Sequence, residues 1–357
     1  TTNSTHKDII TNTSIFKENT GTQKDVKKNK HVTLPYNIDL RTAQLNIQHM
    51  SVAKPFRIVK IMKEQNYDIM FLSELQVTDS ITYKVEEHTF FIAGDTTIEK
   101  GKGKGKGKPN KGKGKGKQQG KQTQKGKSKR TGTLFDYFTP VRNITEENFM
   151  SYTPLNNDRA SGVAIVVSPQ LSPYIREIKI HTGRIMELIL NTAGAPSHLL
   201  STYAPHQGTT VDHLRAPFWN TLTQVISNIP KTHFTSIFGD LNVRLEAILP
   251  GEEHIIGPKL FGKGMTALTD PLTPWDPNRP QGSNRGPAME LCEGQEMVFA
   301  NTYKAPTQER TVSYRDKWQK PTNIFSPQGH NVLDHVITHR KWLAVIKDVR
   351  NRPDISF

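Results

Sequence analysis

Apolar residues in this chain come in two rhythms. Near-continuous runs at Asp68 to Leu72, Thr89 to Ala93, Val163 to Val167, His198 to Tyr203 and Phe234 to Phe238 predict buried strands. Ile38 to Ile47 reads as a further strand that ends at Asn46. Tyr174 to Ile180 and Arg184 to Asn191 read as a hairpin with Thr182-Gly183 at its turn. The helical rhythm appears at Pro55 to Gln65, where Phe56, Val59 and Met62 share a face. It returns at Val211 to Ile229, which Pro230 stops, and at Ala288 to Met297. Val298 to Thr302 reads as a strand, residues 250–286 as a long Gly/Pro-rich loop, and Val332 to Thr338 and Leu343 to Val349 as the last apolar stretches. Strands and helices interleave but hairpins also occur, so the pattern predicts mixed sheets with helices outside.

Two segments interrupt the pattern. Residues 1–30 are polar and aperiodic and read as disordered. Residues 100–130 are almost pure Gly-Lys repeat, with 14 Lys or Arg and no acid. Such a segment buries no apolar area and reads as a flexible polycation within one domain, 31–357. These segments hold the positive charge, +15 for the whole chain. The body is close to neutral, so its charge does not name a partner. Cys292 is the only cysteine, which rules out an intrachain disulfide and fits a reducing compartment. No apolar run approaches the roughly 18 residues of a membrane span. The N-terminus does not read as a secretory signal. Lys127 to Arg130 reads weakly as nuclear targeting, and the expected location is intracellular and nuclear.

Candidate chemistry sits where strands end. Asn46, Glu74, Tyr203 and the pair Asp240/Asn242 all close apolar runs, and Asp334 lies inside one, Asn331 to Ile337. Ligands in α/β proteins bind beyond the carboxyl ends of strands. Asp240 and Asn242, two residues apart, point the same way if the strand continues through them. An acid inside an apolar run must be paired or hydrogen-bonded when buried. A carboxylate with an amide is a hard-oxygen environment suited to Mg²⁺. A second carboxylate can orient or deprotonate water, and a Tyr hydroxyl with amide donors can stabilise charge on phosphate oxygens. Taken singly, Glu74 also reads as a solvated strand end, Tyr203 as a core aromatic and Asp240 as a turn acid.

The order of these groups resembles the endonuclease/exonuclease/phosphatase superfamily, and most of all the apurinic-endonuclease-like domains of non-LTR retrotransposons. The likeness lies in AQLNIQHM (43–50), DIMFLSEL (68–75), SGVAIVVS (161–168), STYAPH (201–206), FGDLN (238–242) and VLDHVI (332–337). LRAPFWNTLTQVI (214–226) and MELCEGQEMVFANT (289–302) also look like this family. The resemblance implies a four-layer α/β sandwich, DNase-like, with two mixed sheets face to face. It implies an endonuclease that nicks DNA with Mg²⁺ (or Mn²⁺), as in a retroelement polyprotein where a reverse transcriptase follows. By the same likeness Asn46 and Glu74 sit at the metal, Asp240 orients or activates water with Asn242 beside it, and Tyr203 contacts the scissile phosphate. Asp334 then hydrogen-bonds a catalytic histidine.

Family members carry that histidine in a Ser-Asp-His tripeptide roughly 25 residues after the acid matching Asp334. Phe357 lies only 23 residues on. The expectation is a fragment that binds Mg²⁺ weakly and cleaves little. His335 faces the other way as the next residue of a strand, and His206, His330 and His339 would need loops to bring them in. A second departure is Val312, where many retroelement relatives have Trp; Tyr314 or Trp318 is the expected aromatic substitute.

The basic insert reads either as a tolerated surface expansion or as a non-specific phosphate clamp with salt-dependent binding. Beyond it, Leu134, Tyr137 and Phe138 resemble a sliding-clamp-binding peptide, with Thr131 where a Gln is usual. Two other functions stay open: the same fold acting on small phosphate esters, and a non-catalytic remnant that binds nucleic acid or a clamp.

Overall fold

The computed structural model describes residues 10–15, 32–35, 39–94, 143–144, 161–206, 212–269, 284–315 and 325–352, with backbone alone at 10–15 and 143–144. The strands in chain order are β1 (Ile10–Ile15), β2 (Leu40–Asn46), β3 (Ile69–Ser73), β4 (Ile81–Val85), β5 (His88–Ala93), β6 (Asn143–Ile144), β7 (Val163–Val167) and β8 (Ile175–Thr182). They continue as β9 (Ile185–Leu190), β10 (Ser197–Tyr203), β11 (Phe234–Asp240), β12 (Met297–Phe299), β13 (Tyr314–Arg315), β14 (His330–Asn331), β15 (Asp334–His339) and β16 (Ile346–Arg352). The helices are α1 (Lys54–Gln65), α2 (Asp212–Ser227), α3 (Met265–Thr269), α4 (Arg285–Gly294) and α5 (Ala300–Lys304).

The first sheet runs β16-β1-β2-β3-β7-β5-β4-β6 and the second β12-β15-β11-β10-β9-β8. Both are mixed: β2 and β3 are parallel, as are β10 and β11, while β3–β7, β9–β10 and β11–β15 are antiparallel. Alternation of side chains along each strand explains how the sheets stack. Ile69, Phe71, Ile165, Leu199, Phe238 and Val336 form one buried cluster between the sheets. Phe71 and Phe238 stack across the gap with centroids 4.2 Å apart. The opposite face of the first sheet packs Met70, Leu72 and Val166 under Ile58, Val59 and Met62 of α1. The opposite face of the second packs Leu200 and Ile237 under Phe218, Leu222 and Leu291 of α2 and α4. The result is four layers, helix–sheet–sheet–helix, as the resemblance implied.

The hairpin, the strand Val163–Val167 and the helices α1 and α2 form where the pattern places them. Three readings need correction, and two stretches take a form the pattern left open. Residues 1–30 are not disordered throughout, because Ile10–Ile15 is a strand pinned between β2 and β16. Its polar residues conceal it, since backbone pairing on both edges needs no apolar side chain. Val298 to Thr302 turns helical after Phe299, and the Asn301 side chain, not its backbone, accepts the Val336 N–H at 3.4 Å. Leu343 to Val349 divides into a 3₁₀ segment, Arg340–Val345, and β16. The Gly/Pro-rich stretch contains α3, and β4 had no signal in the apolar pattern.

Candidate active site

Each expected site residue stands at the end of a strand, and register gathers them on one rim. Tyr203 pairs with Asp240 across β10–β11, and Asp240 pairs with Asp334 across β11–β15. In the facing sheet, Asn46 pairs with Ser73, so Glu74 follows directly beside it. Parity then aims the side chains. Phe238 faces the gap between the sheets, so Asp240 does too; Val336 does the same for Asp334, and Leu199 for Tyr203. In β2, Ala43 and Leu45 face α1, so Gln44 and Asn46 face the gap. Glu74 lies at φ 58° and Asn242 at φ 50°, left-handed turns that end the strand geometry just past Ser73 and Asp240. Gly239 is required because a Cβ there would lie 2.1 Å from the Thr202 carbonyl oxygen.

Hydrogen bonds close the cluster. Asn46 Nδ2 donates to Asp240 Oδ2 at 3.0 Å, a direct link between the sheets. The Asn242 backbone N–H donates to Asp240 Oδ1 at 3.0 Å, and Asn242 Nδ2 donates to the Ala204 carbonyl at 2.9 Å. Asn46 Oδ1 accepts the Gln48 N–H at 3.1 Å. Gln44 Nε2 donates to Asp334 Oδ1 at 2.5 Å, a second link across the gap. Ser313 Oγ accepts the N–H groups of both Leu333 and Asp334 at 2.9 Å. Asp240 is 6% exposed and Asp334 8%. Burial, then the neighbouring Asp334 carboxylate, push the Asp240 pKa well above the usual carboxylate range; Glu74 adds to the push, while bonds from the Asn242 N–H and Asn46 oppose it.

This charge pattern fits a divalent cation. Acids converge on one rim with amides as their shown partners, and carboxylate with amide oxygen is the donor set of a hard ion. Among the described residues no three His, Cys, Asp or Glu side chains form a ready-made cage.

The sequence reading missed four contributors. Gln44 lies two residues before Asn46, where the strand pattern carries no hint of its partner. Arg184 stacks its guanidinium 5.1 Å from the centre of the Tyr203 ring, bringing a cation near the rim. Asn284 and Arg285, both buried, tie the loops that follow the site strands. Asn284 Nδ2 donates to the Pro205 carbonyl at 2.8 Å, and Arg285 Nε to that of Leu245 at 3.0 Å.

The other histidines stand apart. His335 faces the helical layer as alternation requires, and its Nε2 donates to the Val243 carbonyl at 2.9 Å. Burial lowers its pKa to about 4. His339 Nδ1 donates to the Gln295 carbonyl at 2.8 Å, and His206 is exposed. Val312 is fully buried against Phe261 and Val332, a packing role; Tyr314 pairs with Asn331 on the two-stranded ribbon, and Trp318 lies outside the described residues. Leu134, Tyr137, Phe138 and the Gly-Lys repeat lie outside them as well. No helix among the described residues is long and apolar enough to cross a membrane.

No protein-family model and no curated protein matches the sequence. By its own strand order and layers the chain is an α/β sandwich of two mixed sheets. Among solved structures it is similar to the catalytic domain of Xenopus laevis APE2, at 13% identity over 88% of this chain and 87% of that one, with a TM-score of 0.49. It is also similar to the AP endonuclease LMAP of Leishmania major, at 11% identity over 87% and 82%, TM-score 0.45. A third is the endonuclease domain of TRAS1, a telomere-specific non-LTR retrotransposon, at 9% identity over 85% and 86%, TM-score 0.36.

Proposed function

We propose that this chain is a phosphodiesterase that nicks DNA with the help of Mg²⁺, as the target-site endonuclease of a retroelement. One observation carries the reading: Asn46, Glu74, Tyr203, Asp240 and Asp334, up to 288 positions apart in sequence, share a single rim, and the Asn46–Asp240 bond joins its two halves. Asn46 and Glu74 would hold the ion, which would neutralise charge on the phosphate oxygens. Asp240 would orient the attacking water, and its raised pKa suits a group that takes up a proton. The Asn242 N–H and the Asn46 amide keep the Asp240 carboxylate fixed. Tyr203, with Arg184 against its ring, would donate to a phosphate oxygen. Asp334, held by Gln44 and Ser313, would orient an imidazole. The family resemblance implies that a Ser-Asp-His segment supplies this imidazole.

The test therefore uses this chain and the same chain carried on through such a segment. Both are incubated with supercoiled plasmid in Mg²⁺ and in EDTA. The extended chain is expected to open the circles in Mg²⁺ alone, and this chain far more slowly. Absence of nicking by both would refute the reading. Hydrolysis of inositol phosphates without any cut in DNA would move it to small phosphate esters.

A further inference from the structure

Four side chains that the nuclease reading leaves unused gather at the other end of β10. His198 is the second residue of this strand and Tyr203 its last, so the two regions lie about 17 Å apart along the strand. Glu187 of β9 is 3% exposed, yet it stays ionised. Burial pushes its pKa up, but hydrogen bonds from His181 and His198 outweigh this and hold it at about 2. His198 Nδ1 donates to Glu187 Oε1 at 2.5 Å, and His181 Nε2 to Glu187 Oε2 at 2.8 Å. His198 Nε2 and His233 Nδ1 share a proton at 2.9 Å.

This network forms one wall of a cavity of about 520 Å³, within the usual size for a small-molecule site. Lys179 and His181 stand at its polar side, with Thr221 and Gln224 of α2 and Asn228 just past that helix opposite; Val225, Ile229 and Pro230 give it an apolar floor. Among the described residues no His, Cys, Asp or Glu trio is arranged for a metal ion, and both Glu187 oxygens are already taken by histidines. Both oxygens of the one acid of the wall are thus bonded. Lys179 is the cation of the lining, beside the imidazoles. The charged groups around them are Arg176 and Glu177 on β8, with Glu177 3.4 Å from Lys179, and Lys231 beyond the floor, itself paired with Glu296. The α2 residues lining the cavity carry no charge. The last carbonyls of that helix are also occupied: those of Gln224 and Ile226 accept the N–H groups of Asn228 and Ile229, and that of Thr223 accepts the Ser227 hydroxyl.

We infer that this cavity is a binding site for a small organic oxyanion, its charged head at Lys179 and His181 and its apolar body on Val225, Ile229 and Pro230. The experiment is a titration of the ¹⁵N-labelled chain with inorganic phosphate and with phenyl phosphate, read from histidine imidazole resonances at pH 6. Both probes should shift the His181 and His198 signals, phenyl phosphate binding more tightly. Lys179→Ser and His181→Gln alter partly exposed residues, and each should weaken binding at least about fivefold while leaving the remaining spectrum intact. The inference is overturned by absence of shifts at pH 6, by affinities that ignore both variants, or by Zn²⁺ alone saturating the imidazoles at micromolar concentration. None of these outcomes depends on DNA cleavage.

Discussion

The rim around Asp240 and the histidine cluster on β8–β10 each bury a carboxylate, and the two acids behave oppositely. Asp240 on the rim has its pKa pushed up; Glu187 in the cluster has its own held down at about 2. Both are almost inaccessible, so burial is not the difference. The partners are. Asp240 meets other acids and neutral amides, whereas Glu187 meets two imidazoles that donate to both its oxygens. Desolvation raises any buried acid, and only donors or positive charge near the carboxylate reverse it. The first arrangement leaves a group poised to accept a proton or face a cation. The second makes a settled structural anion.

The sharpest way to break this comparison is Asp240→Asn in the extended chain. It should lower plasmid nicking by about 10³-fold, roughly 4 kcal/mol of barrier, with little loss of stability. Retained nicking would remove Asp240 from the chemistry. Next in size, Glu187→Gln should cost about 3 kcal/mol in urea unfolding, because it uncouples a buried ionic network, and should leave nicking by the folded protein unchanged. Gln44→Leu should cost about 1–2 kcal/mol and slow nicking, since it strips a donor from the Asp334 carboxylate; wild-type values would make that short contact incidental.

The smallest effect is the most diagnostic, and it is a pair of opposite slopes. Native Asp240 holds a proton at pH values where the unfolded chain, with a carboxyl near 3.8, does not. Its contribution to stability therefore grows as pH falls through that window. Glu187 titrates at 4.5 when unfolded and about 2 when folded, so its contribution is complete above about pH 4.5 and is lost toward pH 2. Urea midpoints against pH should show the parent gaining on Asp240→Asn under acid, while its lead over Glu187→Gln stays level and then shrinks below pH 4.5. Slopes of the same sign would contradict the partner-based account.

Much of the fold was legible in the chain. Val163–Val167 is apolar over its full length, and only a strand covered on both faces buries such a run. The rim residues were legible as polar groups that close such runs or, for Asp334, interrupt one. Other parts were not legible. Ile10–Ile15 carries mostly polar side chains and is a strand because backbones on both sides complete its hydrogen bonds. Gln44 gave no sign of its partner, which lies 290 residues away. His181, Glu187, His198 and His233 look like scattered polar positions until a hairpin and a parallel pair set them side by side.

By itself, then, the sequence determined the strands and helices that carry a strong apolar rhythm, because apolar periodicity is a local property of the chain, and it left Ile10–Ile15 and Ile81–Val85 unmarked. It also set which polar groups close the strands. Only the tertiary structure decided which of those groups meet, and so which buried acid is raised and which is lowered. Sheet register and the stacking of two sheets bring distant residues within hydrogen-bonding distance, and a carboxyl group's charge depends on those neighbours rather than on its place in the chain.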